Sequence, residues 1–262
     1  MVRTLKPHFV TMASNALTLI LSGLIVYSLG ISQPIWAMAC WSEMTFTSLP
    51  VEQRLSLFRE LVVTSPNEVG ELLLSESERV QAEIASELAD SPGAYPYPYA
   101  EATGWLITTK VRDLALVSEV LEMKPGERFV DIGSGHGVPS LVLGGLNPEV
   151  EFIGYDISAP KNSSARRLAE LVGVQNTEFI EADFSKEDFE VAPADYYYFF
   201  NPSSREAVAA AVDKILETNR GRTITVISYM YEDVLLPFIN RGYGRPVRHQ
   251  GTAIATMTFT VR

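Results

Sequence analysis

Phe129-Val130-Asp131-Ile132-Gly133-Ser134-Gly135-His136-Gly137 is the stretch that decides how this 262-residue chain is read. A short β-rich run enters a glycine turn, and an apolar helical segment, Pro139 to Gly145, follows it. Glycines let a backbone come close to a ligand, and the helix after them starts with unpaired N–H groups. A dinucleotide fingerprint, GxGxxG, would need glycine at position 138, where the chain has Val138. The spacing is instead GxGxG, with the carboxylate of Asp131 two residues before the first glycine. His136, inside the turn, reads as a tolerated side chain facing solvent, with a catalytic base as the sharper alternative.

Working outward, β-rich runs recur at Glu151–Tyr155, Thr177–Ile180, Asp195–Phe200, Thr223–Ser228 and Ala253–Val261. Helical segments separate them at Ser163–Val172, Ser203–Glu217 and Glu232–Asn240. This alternation predicts an α/β fold: a doubly wound, mostly parallel sheet covered on both faces. In such sheets a ligand lies beyond the carboxyl ends of the strands, where the strand order switches. Polar groups stand at those ends. Asp156-Ile157 closes the second strand, 19 residues after Gly137, and a carboxylate there can accept both hydroxyls of a ribose. Asp183-Phe184 follows the third strand, and Asn201-Pro202-Ser203-Ser204 the fourth.

Upstream, apolar residues at helical spacing (Val51, Leu55, Phe58, Leu61, Val62; Val69, Leu72, Leu73; Val80, Ile84, Leu88) predict helices over residues 51 to 90, restarting at Pro66. Three prolines in Ser91–Tyr99 bar helix and central strand, and mark the edge of a helical cap. A helix from about Thr103 to Glu122 follows. The division is then 1–40 as export or anchor segment, 41–98 as helical cap and linker, and 99–262 as the main domain.

The Asp131 to Gly137 run, in its strand-turn-helix setting, resembles motif I of the class I (Rossmann-like, seven-strand) S-adenosylmethionine-dependent methyltransferases. The resemblance implies a methyltransferase with S-adenosylmethionine as cofactor. Asp131, Gly133, Ser134, Gly135 and Gly137 would hold its amino-acid end, Asp156 and Ile157 its ribose side, and Asp183 and Phe184 its adenine. The Asn-Pro at 201–202 is similar to the N-P-P-Y motif of amide and adenine methyltransferases, but Ser203 and Ser204 stand where that motif has proline and an aromatic. Tyr95, Tyr97, Tyr99 and Glu101 look like the segment that covers the cofactor in non-SET protein-lysine methyltransferases, some of them membrane-anchored. Pro125-Gly126-Glu127 extends that likeness. Asn201, Glu101 and Tyr99 are thus the candidates for the acceptor side, with a protein side chain or a small molecule as acceptor.

The first forty residues carry a basic start (Arg3, Lys6), an apolar stretch from Phe9 to Ile31 and Ala37-Met38-Ala39. These are the parts of a secretory signal peptide cleaved after Ala39; the same 23 residues also suffice as an uncleaved membrane anchor. Cys40 admits lipidation. Basic residues before the span place the domain outside the cytoplasm, unless translation starts at Met44 and the protein is cytoplasmic. A cytosolic cofactor sits awkwardly with export, so the side of the membrane stays open.

The net charge of −11 argues against a nucleic-acid partner, because gripping phosphates needs a basic surface. From Trp41 to Glu101 there are 11 acidic and 3 basic residues, whereas Arg220 to Arg262 has 6 arginines against Glu232 and Asp233. The basic end is either a solvated edge or a rim that attracts substrate. One cysteine and three scattered histidines support no metal site. Two rivals remain: a cofactor-binding scaffold without activity, permitted by the altered Asn-Pro motif, and a nicotinamide-dependent oxidoreductase, disfavoured by the glycine spacing.

Overall fold

Seven strands form one sheet in the order β3-β2-β1-β4-β5-β7-β6. They are β1 (Arg128–Ile132), β2 (Glu151–Asp156), β3 (Thr177–Glu181), β4 (Tyr196–Phe199), β5 (Thr223–Tyr229), β6 (Val247–Arg248) and β7 (Ile254–Thr260). The computed structural model describes residues 46–90, 109–200, 202, 204–230 and 232–262; side chains at 81, 83–85 and 87–90, including the predicted Ile84 and Leu88, lie outside the description. The first five strands are parallel. Strand β7 runs antiparallel to β5 and β6.

Continuous apolar runs become central strands because both faces of a parallel sheet are covered. Every residue of β4 is buried, and Phe129 to Ile132 of β1 likewise. Strand periodicity then sends alternate side chains to opposite layers. Phe129, Phe152, Tyr196 and Tyr198 enter one core, while Val130, Ile132, Tyr197 and Phe199 enter the other. The first core is roofed by α1 (Val51–Thr64), α2 (Pro66–Asp90), α3 (Val111–Leu121), α4 (Val138–Leu146) and α5 (Ala159–Val172). The second lies under α6 (Arg205–Thr218), a 3-10 turn (Glu232–Leu235) and α7 (Leu236–Asn240).

The N-terminal helices are fastened to this layer by specific contacts. The ring of Phe58 lies so close to Gly145 that a Cβ there would come within 2.9 Å of it. Arg59 donates to the Gly145 carbonyl, and Arg54 donates to the carbonyls of Leu49 and Glu170. Arg167 pairs with Glu76 across to α2. Phe46 to Arg262 forms one compact unit. No helix among the described residues is long and apolar enough to cross a membrane. Residues 9–31 lie outside that description.

Three expectations change. Helix α3 starts at Val111, after an extended Lys110 and a Thr109 whose Oγ1 lies 2.5 Å from the Tyr198 hydroxyl, so the predicted helix does not run unbroken to Glu122; its part over 103–108 lies outside the described residues. The segment Glu232–Asn240 opens as a 3-10 turn before α7. Strand β6 was not expected at all. Three of the six arginines of the basic C-terminal stretch are paired with acids: Arg222 with Asp195, Arg241 with Asp213 and Arg248 with Glu232.

Candidate active site

The strand order reverses between β1 and β4, and the crevice at their carboxyl ends collects the residues named above. Asp131 sits beside Gly154 on one side and Tyr198 on the other. Its side chain is buried and Oδ2 has no hydrogen-bond partner. Burial pushes its carboxyl up to about 8; the charge of nearby Asp156 adds to this, and the Ser140 hydroxyl partly offsets it. An acid that holds its proton at neutral pH, with an oxygen unspent, is a costly arrangement without a cation to meet it.

The glycine turn is pinned to the end of β2. Gly133 and Ser134 both donate their N–H to the Tyr155 carbonyl, and Gly137 donates back to Ser134. Gly135 donates to Asp156 Oδ2 at 2.9 Å, while Ser158 N–H donates to Oδ1 at 2.9 Å. Asp156 therefore clamps the turn with both oxygens, and each keeps a further lone pair. Asn162 holds the same corner from below, donating to the carbonyls of Asp156 and Ser158. Ile157 is half-buried beside it.

Two glycines need to be glycine for different reasons. Gly135 has φ 56°, and a Cβ added there meets nothing within 4 Å: the backbone faces open space, as a ligand cradle requires. Gly137 has φ 74°, and its Cβ would lie 2.5 Å from the Phe179 ring and 2.9 Å from Ala165. Gly137→Ala combines left-handed strain with overpacking, so a loss of about 2–4 kcal/mol is expected in chemical denaturation. An unchanged midpoint would mean that the turn is not held as described.

On β3's side, Asp183 Oδ1 accepts from Ser185 N–H at 3.0 Å and from its hydroxyl at 2.5 Å, and Lys186 lies 3.7 Å from Oδ2. Phe184 is packed edge-on against Phe189 in the second core, with only 6 % exposure. It therefore supports the Asp183 corner from beneath and offers little free ring. At the end of β4, Phe200 meets the Tyr229 ring edge-on at 5.0 Å, and Pro202 packs directly onto Gly133. Ser204 caps α6 by accepting from Ala207 N–H. Asn201, Tyr99 and Glu101, with Tyr95 and Tyr97, lie outside the described residues.

Sequence reasoning missed two buried polar ties beside this crevice. Tyr198 bonds Thr109, and Tyr229 donates to Asp113 at 2.7 Å. Burial raises both phenols above their ordinary value. The alternation of Tyr196, Tyr197 and Tyr198 along β4 was the available signal: two of the three share the Asp131 face. His136 corrects an expectation outright. It does not face solvent but is 9 % exposed, and neither ring nitrogen has a partner. Burial, with the Lys161 charge second, holds its imidazole down to about 4, so it is neutral.

Comparison with known proteins agrees with this geometry. Residues 123–235 match the family model described as "Methyltransferase domain". Among curated proteins, "Ribosomal RNA small subunit methyltransferase G" of Aeromonas salmonicida is 34 % identical over 76 residues, covering 26 % of this chain and 36 % of that protein. Its counterpart from Vibrio campbellii is 29 % identical over 113 residues, covering 43 % and 52 %. The chain thus spans about half or less of the length of these relatives. A "SAM dependent methyltransferase" structure from Aquifex aeolicus aligns at 15 % identity and TM-score 0.46, covering 57 % of this chain and 90 % of that one. With strand order, glycine turn and family match in agreement, the chain carries a methyltransferase domain of the class I, Rossmann-like, S-adenosylmethionine-dependent family.

Proposed function

We propose that this chain transfers a methyl group from S-adenosylmethionine to a nucleophile presented at the carboxyl ends of β4 and β5. One observation carries the reading: a buried carboxyl, Asp131, whose Oδ2 has no hydrogen-bond partner, beside a glycine turn whose backbone is open at Gly135. The residues fit the cofactor. Asp131 is placed to receive an ammonium, which satisfies Oδ2 and favours its ionised form. Asp156, fixed by two backbone N–H groups, has lone pairs left for ribose hydroxyls. Asp183 is oriented by Ser185 and can accept from an adenine amino group.

When bound, the cofactor supplies an already activated sulfonium methyl, so the protein's share is alignment and exclusion of water. Tyr198 and Tyr229 serve alignment by tying the start of α3 to the ends of β4 and β5. Pro202 packs against Gly133 and so braces the glycine turn. We assign Asn201, Tyr99 and Glu101 to the acceptor side.

A protein side chain or small molecule is the acceptor class we favour. The curated relatives are named for ribosomal RNA, yet this chain carries a net charge of −11 and pairs Arg222, Arg241 and Arg248 with acids. A net acidic chain with half of its C-terminal arginines paired is poorly suited to grip a phosphate backbone. Residues 9–31 would hold the domain at a membrane. A cofactor-binding protein without activity is the second reading, favoured by Ser204, which is spent on capping α6.

Calorimetric titration of the full chain with S-adenosylmethionine tests the first step. Saturable binding is expected; no binding by folded protein overturns the proposal. Transfer of labelled methyl into protein or metabolite fractions of a lysate separates enzyme from inactive binder.

A further inference from the structure

His136 is the buried polar group that the assignments above leave unused. It stands at the third position of the turn from Ser134 to Gly137, which is closed by the Gly137 N–H on the Ser134 carbonyl. Its neighbour Gly135 is bonded to Asp156, and Lys161 on α5 is the charge that its ring senses. The bond of Gly135 brings the turn's backbone at His136 to the end of β2, next to Asp156. Asp131 lies on the β4 side, opposite Tyr198. The ring is more than nine-tenths buried, and Nδ1 and Nε2 both lack a partner. A protein interior seldom leaves two such atoms unpaired unless something else pairs them.

We infer that His136 is a cofactor-binding residue that shares the ribose hydroxyls of S-adenosylmethionine with Asp156. The inference rests on the cofactor reading above. The chemistry matches: a neutral imidazole offers one N–H and one bare nitrogen, and a hydroxyl both donates and accepts. A carboxylate such as Asp156 can only accept, so a partner that donates completes recognition of the pair. Burial, and after it the Lys161 charge, disfavours a protonated ring, which keeps the accepting nitrogen available.

The test uses two ligands, S-adenosylmethionine and methylthioadenosine, which keeps the ribose and adenine but lacks the amino-acid end. His136→Leu is expected to weaken both by about tenfold, the scale of one lost hydrogen bond. Asp131→Asn is expected to weaken only S-adenosylmethionine. His136→Asn, which retains a donor and an acceptor, should recover part of the loss and guards against a Leu variant that fails to fold. Because the ring is unpaired in the free protein, His136→Leu should melt no lower than wild type; a merely structural histidine would lower the midpoint instead. Equal affinity of wild type and both His136 variants would overturn the inference, and so would loss confined to S-adenosylmethionine. Absence of binding by wild type is a different result, and it removes the cofactor reading itself.

Discussion

Asp156→Ala is expected to lose about 2–5 kcal/mol of folding stability and ten- to hundredfold in cofactor affinity. The two losses have separate causes. In the free protein the carboxylate satisfies Gly135 N–H in a part-buried bond and Ser158 N–H in a buried one, each at 2.9 Å. Alanine strands both donors, and each stranded donor costs about 1–3 kcal/mol. A smaller effect opposes this: removing the charge relieves Asp131, for which Asp156 is the second cause of its raised value. Two unpaired donors outweigh that relief. The affinity loss follows from the ribose contacts and from a slack Gly135 together. Asp156→Asn should fall between, because an amide oxygen can accept from one N–H while its nitrogen faces the other. Urea denaturation and calorimetry read the two effects independently. If the alanine variant unfolds at the wild-type midpoint, Asp156 does not hold the turn.

What was legible in the sequence follows from how local each cause is. Strands β1, β2, β4 and β5 announce themselves, because a parallel strand buried on both faces must be a continuous apolar run. Asp131 and Asp156 stood out because each acid closes such a run, and the structure places both at the carboxyl ends of β1 and β2. Strand β6 gave no signal, since it is two exposed residues, and Val247 is 61 % exposed. Its pairing with β7 is decided by the partner strand rather than by its own composition. Helix α3 was drawn through Thr109 and Lys110 because apolar residues on both sides continue the helical pattern; the part predicted over 103–108 lies outside the described residues. Only the Thr109–Tyr198 contact, 89 residues apart in sequence, breaks that pattern ahead of Val111. His136 was misread likewise. Nothing local to a glycine turn says which of its side chains a neighbouring helix will bury.

Asp131→Asn is expected to reverse sign between the free and the bound protein, and its pH dependence makes the effect diagnostic. With a folded value near 8 against the ordinary 3.8 of an aspartate, the native acid keeps a proton that the unfolded chain has lost. Stability therefore falls as pH rises between those values. His136 acts in the opposite direction: its folded value near 4 lies below the ordinary 6.5, so its contribution is lost as pH falls through that window. From pH 4 to 6.5 the two slopes offset. From 6.5 to 8 Asp131 acts alone, and wild type should lose about 2 kcal/mol over that span, at roughly 1.4 kcal/mol per pH unit. Asparagine keeps the neutral shape and abolishes this fall, so the variant should be the more stable protein at pH 8. Cofactor binding should show the reverse. Below pH 8 the acid must release its proton to meet an ammonium, so wild-type affinity climbs toward pH 8 and titrations in buffers of different ionisation enthalpy register a released proton. The variant should bind about 10- to 100-fold more weakly at pH 8, with no proton released. A stabilised variant that binds as tightly as wild type would remove Asp131 from the cofactor site, and with it the physical reason for leaving that carboxyl buried and unpaired.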